Sequence, residues 1–221
     1  MPSFITAKEA AQYVHDGMTV MIGGFLGCGN PHKIISELVK SGVKDLTVIA
    51  NDSPKTGFGL AQLIDNHQVK HFIASHVGMN QNVADQMNSG EMQVDLIPQG
   101  SLAEMVRAGG SGLGGVLTTT GLGTPVEDSP LVDRKINIDG QDYLLMKPLH
   151  ADIALINGYT VDKVGNVWYK GTTRNFNSLM ALSADIVICE ADHVVEVGEI
   201  EPENVVTQGI LVKYIVDGGK E

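Results

Sequence analysis

Asp16 to Pro31 reads DGMTVMIGGFLGCGNP, and the fold turns on how this stretch is parsed. A short apolar run, MTVMI, has the character of a buried strand and leads into four glycines within the seven residues from Gly23 to Gly29. NPHKIISELVKSG follows, with Asn30 where a helix N-cap belongs and Pro31 at the first helical position. Its Ile34, Ile35, Leu38 and Val39 share one face, and Gly42 supplies a stop. Strand, glycine-rich loop and helix in this order suit ligand binding. Glycines let backbone N–H groups approach a ligand, and the helix N-terminus behind them favours negative charge. A tight turn whose glycines serve only packing is the competing reading.

The loop fits neither common phosphate signature. A P-loop requires Lys and Ser or Thr after its last glycine, where Asn30 and Pro31 stand instead. A dinucleotide fingerprint would place a third glycine at His32. The spacing Gly110-x-Gly112-x-x-Gly115 does occur further on, but it follows a helical pattern and leads into the β-prone VLTTTG. It reads as a second flexible loop, bordering a site or purely structural.

Outward from this unit the same rhythm repeats. TAKEAAQYVHDG precedes it as a helix capped by Thr6 and closed by Gly17. After it DLTVIA, VKHFIAS and QVDLIPQG read as strands, separated by the helical GLAQLIDN, NVADQMNSG and, after the last strand, LAEMVRAGG. Such alternation predicts an α/β fold, an open and mostly parallel sheet with helices on both faces. RKINIDGQDYLLM breaks the rhythm as an antiparallel hairpin insertion, its Asp139-Gly140 pair supplying a type I′ turn. ADIALING, NVWY and DIVICEA then resume the strands around a helix near NSLMALSA, and VVTQGILVKYIV reads as extended. Residues 1–221 read as one domain, since no repeat or low-complexity linker divides them.

Composition narrows the partners. The formal charge of −11 argues against nucleic acid and an anionic membrane surface. No secretory leader or membrane-spanning run is legible, so a cytoplasmic protein is expected. Cys28 and Cys189 are the only cysteines, far apart and outside any metal-ligand spacing. His67, His71 and His76 lie around a predicted strand without a completing carboxylate or thiolate cluster, so no metal site is expected. Glu104 and Glu190 could each act as a nucleophile, but each reads as simply as a solvated helix residue or a strand-end carboxylate.

Over nearly its whole length the chain resembles the α subunit of the class I, 3-oxoacid type CoA-transferases. The first signature of that family matches throughout: Asp16-Gly17, two residues, Val20-Met21-Ile22, Gly23-Gly24-Phe25, three residues, Gly29, one residue, Pro31. The likeness extends through IAND from Ile49, IASH from Ile73, PQGSLAEMVRAGGSGLGGVLTTTGLGT from Pro98, YKGTTRNFN from Tyr169 and VVTQG near the end. IAND, IASHVG and GSGLGGVLTTTGLGT are more similar to acetate/acetoacetate and butyrate–acetoacetate enzymes than to the 3-oxoadipate branch.

This resemblance implies a CoA-transferase/sugar-phosphate-isomerase-like fold and a ping-pong exchange of CoA between an acyl-CoA and a short-chain carboxylate. It places the glutamate nucleophile in a Ser-Glu-Asn-Gly motif of a homologous β subunit, and no such motif occurs here. No catalytic nucleophile is therefore expected in this chain, which would act only with its partner in an α2β2 assembly. The resemblance assigns Gly23, Gly24, Phe25, Leu26, Gly27, Cys28 and Gly29 to CoA binding and places Gln99, at a strand end, against the acyl group. A Gln amide there can stabilise an oxyanion, although strand-end amides also simply tie down loops. Phe25 is expected to pack under the loop. CoA enters as substrate, with no tightly bound cofactor. A sugar-phosphate isomerase, active without CoA or partner, and a ligand-sensing module that catalyses nothing are the alternatives on the same scaffold.

Overall fold

A computed structural model describes residues 1–219. Strand β1 (Ser3–Ile5), which the pattern did not reveal, precedes helix α1 (Ala7–Ala11). Thr6 caps α1 as expected and forms a full capping box with Glu9. The helix stops well short of Gly17, because Tyr13 and Val14 continue by tighter bonds to the carbonyls of Ala10 and Ala11. That turn buries Val14 and sets the Tyr13 ring 4.6 Å from Tyr214.

Strand β2 (Thr19–Ile22), helix α2 (His32–Ser41), β3 (Leu46–Ala50), α3 (Ala61–Asp65), β4 (Val69–Ala74), α4 (Gln81–Ser89), β5 (Gln93–Leu96) and α5 (Gln99–Gly110) follow in the predicted alternation. Gly42 and Gly90 end α2 and α4 in the left-handed conformation, where a side chain would be strained. A separate three-stranded antiparallel sheet follows, β6 (Val116–Thr118), β7 (Val132–Ile138) and β8 (Gln141–Met146), in the order β6-β8-β7. Asp139 and Gly140 both have positive φ at its hairpin, as the type I′ reading requires. The insertion is thus larger than a hairpin, since β6, directly after the Gly110–Gly115 loop, joins it.

The chain then returns through β9 (Ala151–Asp162), β10 (Val167–Trp168), α6 (Asn177–Met180), β11 (Ala184–Val195) and β12 (Tyr214–Asp217). Most of the segment expected to be extended before β12 instead makes tight turns, with Leu211 and Val212 bonded to the carbonyls of Gln208 and Gly209. Gly209 lies too close to the Val164 carbonyl for a side chain, which fixes that bend.

The large sheet runs β1-β12-β11-β9-β2-β3-β4-β5, parallel throughout, with β10 antiparallel on β9. Its central strands are buried on both faces, and their alternating side chains divide between two cores. Val20, Ile22, Val48, Ala50, Phe72 and Ala74 pack beneath α1 to α4. Met21, Ile49 and Ile73 point the other way, toward α5, α6 and the apolar side of β8. Each such large side chain contributes about 1.5–3 kcal/mol by leaving water.

The connectivity also locates a site. From β2 the chain steps outward through β3, β4 and β5, and it comes back to β9 on the other flank of β2. The order therefore reverses beside β2, and ligands of open α/β sheets bind at the carboxyl ends of strands at such a point. Gly23 to Gly29 is the loop that leaves β2 there.

Candidate active site at the carboxyl edge of the sheet

Four connections converge on this edge. The glycine loop follows β2, Asn51 and Asp52 follow β3, Ser75 follows β4, and Gln99 stands three residues after β5. The segment Thr172–Leu179 folds over them from the far side of β2. Phe25, Asn51, Gln99, Thr172, Asn175, Phe176 and Leu179 line a cleft of about 430 Å³. Its lining is largely apolar with convergent amides, as small-molecule sites commonly are. None of these lining residues is a carboxylate.

Within the loop, Phe25 and Cys28 exchange backbone hydrogen bonds at 3.0 and 2.8 Å around Leu26 and Gly27. Both central residues have positive φ, 49° at Leu26 and 83° at Gly27, so this is a miniature type I′ hairpin. Left-handed backbone at a leucine costs about 1–2 kcal/mol. The Asp52 carboxylate offsets that cost by accepting the Leu26 N–H at 3.1 and 3.0 Å on its two oxygens. A hydrogen bond to a charged acceptor contributes about 1.5–3 kcal/mol, enough to hold the turn. Burial pushes the Asp52 carboxyl above the usual carboxylate range, against the lowering effect of Asn51, the Leu26 N–H and nearby His76.

Three asparagines hold the remainder. Asn30 does not cap α2: its buried side chain donates to the Gly23 carbonyl at 2.5 Å and accepts the Leu60 N–H at 3.1 Å. Pro31 takes the N-cap position without a side-chain bond, and the Glu190 carboxylate from β11 accepts the N–H groups of Lys33 and Ile34 instead. Asn175 accepts the Gly24 N–H at 3.1 Å and donates to the Cys28 carbonyl at 3.0 Å. Asn177 donates to the Gly29 carbonyl at 3.0 Å and accepts the Asn157 N–H at 3.0 Å.

These contacts explain the glycine density. A Cβ on Gly23 would lie 1.8 Å from Asn177 Oδ1, and one on Gly27 would lie 2.2 Å from the Phe58 ring. The space left by the missing side chains is filled by the protein's own amides and by Phe58. Among the described residues, most loop N–H groups are bonded internally, and those of Gly27 and Gly29 stand outside that network.

The expected site residues are thus brought together, with two corrections. Phe25 does not pack under the loop: it is 43 % exposed and forms part of the cleft wall. Gln99 is not at a strand end but opens α5, because Pro98 has already turned the chain after β5. Its Nε2 donates to Asn51 Oδ1 at 2.6 Å, and Asn51 Nδ2 donates to Asp52 Oδ1 at 2.8 Å. Cys28 is exposed, with its Sγ 3.6 Å from Thr172 Oγ1.

The other candidates lie elsewhere. Glu104 is paired with Arg107 on the surface of α5. Glu190 is buried and committed to the α2 N-terminus. His67 pairs with Glu91 and His71 with Asp95, each at 2.6 Å, while the backbone at His76 bridges to Asp52.

The architecture has counterparts. The model of the coenzyme A transferase family matches residues 4–218. The chain belongs to the coenzyme A transferase family. It is 51 % identical over 212 residues to the acetoacetyl-CoA:acetate/butyrate CoA transferase alpha subunit of Clostridium acetobutylicum, covering 96 % of each chain. It is 46 % identical over 212 residues to the acetate CoA-transferase subunit alpha of Escherichia coli, covering 96 % of this chain and 95 % of that one. An Escherichia coli acyl-CoA transferase, solved as a thioester complex with CoA, shares the fold with a TM-score of 0.89 at 21 % identity. All of this CoA-transferase chain is covered in that superposition, but only 48 % of the solved chain, so it spans about half of that protein. No helix among the described residues is long and apolar enough to cross a membrane.

Proposed function

We propose that this CoA-transferase chain is the non-nucleophilic α subunit of a short-chain acid enzyme. It would move CoA between an acyl-CoA and acetate, butyrate or acetoacetate in an α2β2 assembly with a homologous β subunit. The observation that carries this reading is a cleft of amides and apolar groups with no carboxylate on its wall, in a chain half identical to an acetate/butyrate α subunit.

The chemistry divides accordingly. A glutamate carboxylate of the β subunit attacks the thioester carbonyl, and the CoA thiolate leaves as an acyl anhydride forms. The thiolate then attacks the glutamyl carbonyl and releases the first carboxylate, leaving an enzyme-CoA thioester. A second carboxylate repeats the two steps in reverse and departs as the new acyl-CoA, regenerating the glutamate. Each addition places negative charge on a carbonyl oxygen. The Gln99 N–H not committed to Asn51, with exposed loop N–H groups, supplies donors from this chain. The Gly23–Gly29 loop and the Phe25 ring would form one wall of the CoA site. CoA enters and leaves as substrate, and no tightly bound cofactor is required. The expected compartment is the cytoplasm.

The test is a CoA-exchange assay on the co-purified α and β subunits with two- to six-carbon acids. Exchange between acetyl-CoA and butyrate or acetoacetate is expected from the pair and from neither subunit alone. Comparable exchange by isolated α chain would overturn the division of labour.

A further inference from the structure

We propose that Asp52 is a positioning residue that couples the glycine loop to the acyl-site amide. Its carboxylate both pins the Leu26–Gly27 turn and sets the polarity of the Asn51–Gln99 amide pair. The catalytic consequence rests on the function proposed above, whereas the structural coupling stands on the geometry alone.

Three observations carry it. Asp52 is 2 % exposed, and both of its oxygens lie within hydrogen-bond distance of the Leu26 N–H. Leu26 is one of four non-glycine residues with positive φ among the described residues, so its conformation needs an external hold. The same carboxylate faces Asn51, and an ionised carboxylate can only accept. Asn51 must therefore turn its NH₂ toward Asp52, at 2.8 Å.

The rest follows from valence. With its NH₂ on Asp52, Asn51 presents Oδ1 to Ser75 Oγ at 3.3 Å and to Gln99 at 2.6 Å. An amide oxygen can only accept, so Gln99 must present its NH₂ in turn. One Gln99 N–H is thereby fixed toward Asn51, and the other N–H and Oε1 are left for the cleft. A neutral group at position 52 would remove the acceptor-only constraint. Asn51 and Gln99 could then flip together at nearly constant shape, reversing which end of Gln99 meets the substrate. One carboxylate thus holds a turn on the CoA side and an amide on the acyl side.

Two substitutions in the assembled α/β enzyme separate these roles. Asp52→Asn keeps an acceptor for the Leu26 N–H but frees the amide polarity. It is expected to lower kcat about tenfold, the equivalent of one charge-assisted hydrogen bond, with KM for acyl-CoA little changed. Asp52→Ala removes both functions and is expected also to raise KM for acyl-CoA. In hydrogen-exchange mass spectrometry, its peptide spanning residues 23–29 should exchange about tenfold faster, by the same equivalence. Exchange of that peptide within twofold of wild type in Asp52→Ala would overturn the clamp. Values of kcat and KM within twofold of wild type in Asp52→Asn would overturn the control of polarity. If Asp52→Ala does not fold, Asp52→Asn decides the clamp by degree: its neutral oxygen holds the Leu26 N–H more weakly than the carboxylate does, so exchange of the same peptide faster by about fivefold supports the clamp, and exchange within twofold of wild type overturns it. If the wild-type pair moves no CoA, the functional reading fails while the exchange measurement still decides the clamp.

Discussion

Asn177 Oδ1 occupies the space that a Cβ on Gly23 would need, 1.8 Å from its ideal position, although the two residues are 154 positions apart. The pair joins the loop after β2 to the first turn of α6. It is one reason the CoA-transferase loop keeps its shape.

A Gly23→Ala substitution should displace the Asn177 side chain and break its bond from the Asn157 N–H. Leaving that buried donor unpaired costs about 1–3 kcal/mol. Denaturant unfolding of the chain should show a lower midpoint. Asn177→Ala added to Gly23→Ala should cost less than the sum of the two single changes, because it removes the clash. Simple additivity would refute the contact.

Gln99→Ala should reduce kcat more than it reduces assembly. Loss of one oxyanion donor in a protected site can cost 10²–10³ in rate, and Gln99 shares its amide with Asn51, so a fall of about tenfold or more is expected. Steady-state CoA exchange and size-exclusion chromatography of the α/β pair check the two quantities separately. An unchanged kcat removes Gln99 from the site.

Glu190 makes stability depend on pH in an unusual direction. Burial pushes its carboxyl above the ordinary value of 4.5, overcoming the lowering effect of the Lys33 and Ile34 N–H groups. Between that value and its raised one, the folded chain binds more protons than the unfolded chain. The contribution of this group to stability is then present at low pH and lost as pH rises through the raised value. Glu190→Gln cannot titrate, so its thermal midpoint should fall less with rising pH than that of wild type. Glu190→Ala should cost about 1–3 kcal/mol at low pH, since two N–H groups of α2 lose their acceptor, and less as pH rises through the raised value. Parallel pH curves for wild type and Glu190→Gln would contradict this account.

Much of the fold was legible because its signals are local. Apolar strands of four to six residues, helices with one apolar face and the stop at Gly42 all appear where the local sequence places them. The Asp139-Gly140 turn formed for the same reason, since positive φ is a property of the residues themselves. Strand β1 was not legible: three residues carry no periodicity, and it exists only because β12 pairs beside it. Helix α1 was overestimated because tertiary packing of Val14 and Tyr13 outweighed a helix-compatible sequence.

The site divided along the same line. The glycine cluster and Gln99 could be singled out from the chain, as could the absence of a Ser-Glu-Asn-Gly motif. Asn30 could not be assigned correctly, because a helix cap and a loop tether use the same side chain. Asn175, Asn177 and Asp52 lie in stretches that carry the family likeness, but nothing local shows that they hold the glycine loop; their partners in that loop lie 26 to 151 residues away. The chain by itself determined the alternating elements, the glycine loop after β2 and the membership of a family, because backbone preference and apolar spacing act between near neighbours. Only the tertiary structure decided what the glycines accommodate and which way the Asn51 and Gln99 amides face, because close approach and hydrogen-bond polarity depend on groups that meet only when the sheet is assembled.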